Sequence, residues 1–138
     1  MARIDKNNYG KLAISKSALI KTIIKNMINM EEYLIPCNKK GKPMRKSILT
    51  GYSDFANSVE IEEHKKSIHI RVFVVSKVGE QLEPYDDQFF DAVESDFVLL
   101  GLNKPASICI NVKGIQDRQI IESNINIVRE NSQDAKTV

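Results

Sequence analysis

The cations between residues 39 and 46 are the side chains whose type and spacing point most directly to a function. Five of them fall within eight positions, Lys39, Lys40, Lys42, Arg45 and Lys46. Such a cluster can follow nucleic-acid phosphates, whose binding is salt-sensitive, or anionic lipid headgroups, where each contact contributes about 1 kcal/mol. The alternative is a solvated loop whose lysines only keep the protein soluble. Both interpretations stay open on the sequence.

Two histidines offer a weaker candidate site. His64 and His69 flank a predicted turn, and Glu60, Glu62 and Glu63 are close in sequence. A zinc site needs three or four converging ligands, and this sequence spacing does not bring such a set of ligands together. We therefore expect surface histidines, with no metal and no cofactor.

Acid–base or nucleophilic catalysis has little support. Asp87, Asp91 and Glu94 fall on one stripe of a predicted helix, where a solvated helix face explains them without chemistry. Cys37 could be a nucleophile, but no histidine lies near it in sequence. Cys109 is most simply a small side chain inside a strand. We expect a protein that is not an enzyme.

Composition indicates one soluble domain. The chain has 138 residues, 42% of them hydrophobic and 28% charged, which suits a globular protein with a core of its own. Neither a membrane span nor a secretory signal is predicted, and two separate cysteines suggest a reducing, cytoplasmic setting. Residues 1–50 carry a formal charge of +8 and residues 51–138 carry −6, a polarity that can mark a face for an acidic partner.

The strongest structural pattern is a strand, helix and strand over residues 68–115. Alternating apolar residues predict a strand from Ile68 to Ser76. Pro84 with its following carboxylates predicts the start of a helix, and Gly101 predicts its end. Pro105 then begins another extended segment. The residues predicted to be buried are Ile70, Val72, Phe89, Val93, Ile108 and Ile110.

The other predicted elements of the domain precede this unit in the chain. Lys11–Ile14 reads as a first strand, and Ser15 or Ser17 can cap a helix that ends between Met30 and Leu34. Residues 36–47 have no periodicity and are predicted to form a basic loop. A second strand starts near Val59 and turns into the strand at Ile68.

The order predicts an α+β fold, βαββαβ, with a four-stranded sheet covered on one face by two helices. Residues 1–115 would form the domain, and 116–138 a C-terminal extension. A short terminal helix is possible there, with an apolar stripe of Ile120, Ile121, Ile125 and Val128, although the nearby asparagines are poor helix formers. The last residues would be a frayed tail.

Several of these segments match a known pattern. They are Gly10-Lys-Leu-Ala-Ile-Ser15 before the first helix, the apolar strand ending at Gly79, the second helix, Leu102, Pro105, and Ile108, Ile110 and Val112 with Gly114-Ile115. On these residues the chain resembles the alkaline-shock protein family, the envelope stress response proteins of Gram-positive bacteria. The resemblance covers most of residues 10–115. The first helix departs from the alanine-rich family pattern, and the basic loop replaces the family's Gly-Val segment.

The resemblance implies a non-enzymatic cytoplasmic protein of cell-envelope homeostasis, which in some members is recruited to the membrane by a partner. The partner would be a protein or an anionic membrane surface, bound through Lys39, Lys40, Lys42, Arg45 and Lys46. A small nucleic-acid-binding domain that uses the same loop is the alternative, and self-association into a homo-oligomer is left open.

Overall fold

The computed structural model describes residues 15–44 and 55–131, which form an α+β fold, as expected. The elements are α1 (Lys16–Asn29), β1 (Leu34–Pro36), a short 3₁₀ helix (Ala56–Ser58), β2 (Val59–His64), β3 (Ser67–Ser76), α2 (Tyr85–Leu99), β4 (Ser107–Gln116) and β5 (Ile120–Glu130). The strand predicted at Lys11–Ile14 lies outside the described residues, as do Arg45, Lys46 and residues 132–138. Neither described helix has the length and apolar composition to cross a bilayer.

The described strands form one mixed sheet with β3 near its centre. β1 and β2 pair antiparallel with successive parts of one side of β3, β4 pairs parallel with the other side, and β5 pairs antiparallel with β4. The parallel pair follows from the crossover through α2, which returns the chain to the starting end of β3. The sheet thus has five described strands where four strands had been predicted.

Both helices pack on the same face of this sheet, which we call the helix face. Every second residue of β3 and β4 meets apolar side chains of α1 and α2 in one core, and every residue predicted to be buried lies in it. Phe97 and Val93 of α2 and Ile23 and Ile24 of α1 are fully enclosed there. The predicted arrangement of two helices over one sheet face is confirmed.

The helix ends follow their sequence signals closely. The Ser15 hydroxyl accepts a hydrogen bond from the Ala18 amide at 3.1 Å, which caps α1. The last helical residue is Asn29, slightly earlier than predicted. At the end of α2, Gly101 adopts φ +83°, the left-handed conformation that glycine takes without strain.

The terminal segment is a strand, and the helix considered for it is absent. Ile120–Glu130 pairs with β4 along its length, with Ile127 opposite Ile110 and Ile125 opposite Val112. From Ser123 to Glu130, side chains alternate between half-buried and exposed, which is the period of a strand. β4 offers a backbone edge that a helix at this place would leave unpaired, and this pairing overrides the helical spacing of the isoleucines.

Candidate functional site

The described part of the predicted basic loop forms an ordered hairpin, Pro36–Met44, which we call the basic hairpin. The Cys37 amide donates a hydrogen bond to the Phe73 carbonyl at 2.9 Å, which continues the pairing of β1 with β3. The chain then returns, and the Met44 amide donates to the Pro36 carbonyl at 2.8 Å. The described residues of the predicted loop are thus held by backbone hydrogen bonds and by an isolated bridge between Cys37 and Pro43.

The side chain of Asn38 organises the turn. Its Oδ1 accepts hydrogen bonds from the backbone amides of Lys40, at 2.9 Å, and Lys42, at 3.0 Å. The Gly41 amide donates to the Asn38 carbonyl, and Gly41 has φ +87°, a conformation that favours glycine. The backbone beneath the lysines is consequently held in one shape.

The hairpin lies on the sheet face opposite the helices, which we call the second face. Ile35 and Cys37 cluster there with Phe73 and Val75, apart from the main core. A Cβ built on Gly41 would lie 3.4 Å from the Cβ of Lys113 in β4. Since β1 and β4 flank β3 on opposite sides, the tip of the hairpin reaches across β3.

The described cations of the cluster are exposed on this hairpin. Lys39 pairs with Glu60 of β2, and the same carboxylate lies 3.9 Å from the Arg71 guanidinium. Lys40 and Lys42 are also exposed. The structure thus brings the predicted lysines of the hairpin beside a cation of the sheet.

Lys113 adds a further cation that sequence reasoning missed. Its ammonium lies 5.7 Å from the centre of the Phe73 ring, within the range of a cation–π contact. Relative to β3, Lys113 is an extra residue of β4, because Val74 pairs with Val112 and the next residue, Val75, pairs with Gly114. Bulges redirect side chains, and the isolated glycine that follows, Gly114, is the sequence signal that could have indicated this one.

Cys37 is unsuited to nucleophilic catalysis. Burial raises the pKa of its thiol to about 12, although the charge of Lys113 acts to lower it. The thiol is therefore neutral at physiological pH, and its side chain is fully buried beside Phe73. Cys109 is also buried, with its Sγ 3.4 Å from the Asn126 Oδ1.

The acidic residues of α2 have a structural partner. Arg129 of β5 bonds the carboxylates of Asp91 at 2.6 Å and Asp87 at 3.0 Å, and it lies 3.4 Å from Glu94. Glu94, expected on an exposed stripe, is buried and also accepts from Asn131. These carboxylates bind β5 to α2, and the prediction that the whole stripe is solvated holds only for its outer members.

The two histidines do come together on the second face. Their ring centres lie 5.8 Å apart, and the His69 Nδ1 is 2.7 Å from the Ser107 hydroxyl. The Glu62 carboxylate lies 3.8 Å from the His64 Nε2. Within residues 15–44 and 55–131, however, no three potential ligands are arranged to hold a metal ion.

Comparison with known proteins gives no further assignment, because the chain matches no protein-family model, no curated protein and no solved structure.

Proposed function

We propose that this is a non-enzymatic binding protein of the envelope stress response type, which places its basic hairpin against an anionic membrane surface in the cytoplasm. The observation that carries the proposal is the preorganised turn of Asn38, which presents Lys39, Lys40 and Lys42 to solvent on one rigid structure. The resemblance to the envelope stress family supplies the cellular setting, including a protein partner at the membrane.

The positive charges around the hairpin suit binding to a planar anionic surface. Lys113 lies under the tip of the hairpin, and Arg71 lies beyond Glu60 on the same sheet face. Glu60 partly neutralises Lys39, so Lys40 and Lys42 contribute most of the attraction. The cations of the cluster within the described residues 36–44 are all lysines, and dispersed lysines suit lipid headgroups, which are bound through charge and need no fixed geometry.

Recognition of single-stranded RNA by the sheet is less well supported. Proteins that read RNA on a sheet stack bases on exposed aromatic strand residues. Phe73 is the aromatic residue of β3, and it is buried beneath Lys113 and the hairpin cluster. Nucleic acid would have to be bound by the hairpin alone, through phosphate contacts.

The chemical candidates also favour binding over catalysis. Cys37 is buried and neutral, and three of the α2 carboxylates are held by Arg129. Each of these groups has a structural role that accounts for its environment. The proposal therefore assigns no catalytic residue.

A sedimentation assay with lipid vesicles tests the proposal. The variant carries Lys39→Gln, Lys40→Gln and Lys42→Gln, and the matched control carries Lys16→Gln, Lys21→Gln and Lys104→Gln, three exposed lysines elsewhere. At about 1 kcal/mol per contact, the hairpin variant should lose about 10- to 100-fold in partition onto phosphatidylglycerol vesicles, and the control should lose little. Neither protein should bind neutral phosphatidylcholine.

Two results would overturn the membrane assignment. An equal loss in both triple variants would mean that net charge, and not the hairpin, drives binding. Unchanged vesicle binding with a loss of binding to duplex DNA would favour the nucleic-acid alternative.

A further inference from the structure

The outer edge of β5 is the longest strand edge on the described surface. β5 runs eleven residues, Ile120–Glu130, and pairs with β4 on one side. Among residues 15–44 and 55–131, no strand pairs with its other side. The amides and carbonyls that point outward from this strand can therefore form a ladder with another chain.

The middle of this edge lacks the charges and prolines that often prevent strand pairing, although Ser123 and Asn124 form a bulge against β4. Ser123–Val128 contains no charged residue and no proline, and the lysines that protect many edge strands are absent from β5. Ile125 and Ile127 are half-buried at the rim of the main core, and Val128 is 51% exposed. A second strand here would cover the open side of this core.

The asparagines on the second face are already ordered for such a contact. The Asn111 amide donates to the Oδ1 atoms of Asn124, at 3.1 Å, and Asn126, at 2.5 Å. This arrangement fixes both carboxamides while their own amide nitrogens stay available as donors. They lie along the exposed edge, two residues apart.

Symmetry and charge together limit the registers in which β5 can pair with a second copy. Residues opposite one another in an antiparallel pair point to the same face, so a two-fold axis must pass through a residue position. An axis at Asn126 would set Glu122 against Glu130 of the second copy, on the same face. An axis at Ile125 avoids this repulsion and places Asn124 opposite Asn126 twice, with Ile125 packed on itself.

We infer that β5 is the interface of a homodimer, in which the sheets of two copies are joined by antiparallel pairing of β5 about Ile125. Each copy contributes the same edge, so the contact closes on itself and yields a dimer and not a fibre. The apolar side chains of Ile125 and Ile127 become covered on the helix face, and the carboxamides of Asn124 and Asn126 meet on the second face.

This geometry has a consequence for the basic hairpins. A two-fold axis perpendicular to the sheet keeps the second faces of both copies on the same side. The two hairpins would then face one surface together and bind it with higher avidity than one hairpin. This consequence rests on the proposed function, whereas the dimer itself does not.

Sedimentation of the full chain in the absence of lipid tests the dimer with a charge-swap pair. One variant carries Asn124→Lys and Asn126→Lys, and the other carries Asn124→Glu and Asn126→Glu. Each alone opposes like charges across the interface and should raise the dimer dissociation constant at least about tenfold. The equimolar mixture should restore a dimer, because lysine then meets glutamate, and restoration also shows that both variants fold.

Disulfide cross-linking tests the register of the proposed pairing. Ile125→Cys lies on the proposed axis and should form a disulfide-linked dimer under mild oxidation, whereas Leu99→Cys, at an 82% exposed position on α2, should not. A wild-type chain that remains monomeric at millimolar concentration would overturn the inference. So would a dimer that both charge variants leave intact, or a mixture that fails to reassociate.

Discussion

The two faces of the sheet have opposite character although they share the same strands. On the helix face, Ile70 and Val72 of β3 pack with α1 and α2 in a continuous apolar core. On the second face, Arg71 is exposed, and Phe73 belongs to a cluster of four buried residues under the hairpin. One face therefore carries most of the folding free energy, and the other is free to carry polar groups and cations.

This contrast indicates that functional side chains should be sought on the second face. A side chain in a close-packed core cannot change without a cost in stability, whereas a solvated side chain can be selected for binding. The second face holds the organised turn of Asn38 and the fixed carboxamides near Asn111. Both features hold polar groups in fixed positions on this face.

The largest effect should come from the helix face. Phe89→Ala removes a buried ring between α2 and the sheet and should lower the free energy of unfolding by about 3–5 kcal/mol. Arg71→Ala on the second face should change it by less than about 0.5 kcal/mol. Urea denaturation measures both variants, and similar losses would mean that the two faces contribute alike to stability.

The patterns that predicted these faces were periodic. In β3, Ile70 and Val72 alternate with polar residues, and in α2 Phe89 and Val93 recur at helical spacing, so both elements could be read from the sequence. β1 is only three residues long and has no measurable period. Its pairing with β3 depends on tertiary contact, which no local pattern records.

The terminal strand and the order of the basic hairpin were missed for identifiable physical reasons. Ile121, Ile125 and Val128 fit helical spacing, whereas Ile125 and Ile127 fit a strand, and the free edge of β4 decided between the two. The order of the basic hairpin depends on the carboxamide of Asn38, since a polar segment with glycine and proline reads as irregular unless that side chain is known to accept the turn amides. The lysines could be predicted, but their rigid support could not.

An intermediate effect should come from the turn of the hairpin. Gly41→Ala places a side chain at φ +87° and should destabilise this turn by about 1–2 kcal/mol. Hydrogen exchange of the backbone amides at positions 41 and 42 should become faster in this variant, while exchange in α2 stays unchanged. Lys40→Ala, in the same turn, serves as the control. Equal protection in the two variants would argue against an ordered hairpin.

A smaller, pH-dependent effect should come from Cys37. Its folded pKa of about 12 lies above the value of 9.0 for a free thiol, so its contribution to stability is intact below pH 9 and is lost as the pH rises toward 12. Between pH 8 and pH 10 the wild type should lose about 1 kcal/mol more than Cys37→Ala. Parallel pH profiles of the two proteins would show that this thiol is not protected by burial.

The central claim is that the second face, through the basic hairpin, is the surface that meets an anionic ligand. Nuclear magnetic resonance titration of the labelled full chain with phosphatidylglycerol bicelles tests it residue by residue. Amide shifts should occur at Lys39 to Lys42 and at Lys113 and should disappear in high salt, with α1 and α2 unaffected. Shifts that centre on α1, or that are spread evenly over the exposed lysines, would contradict it.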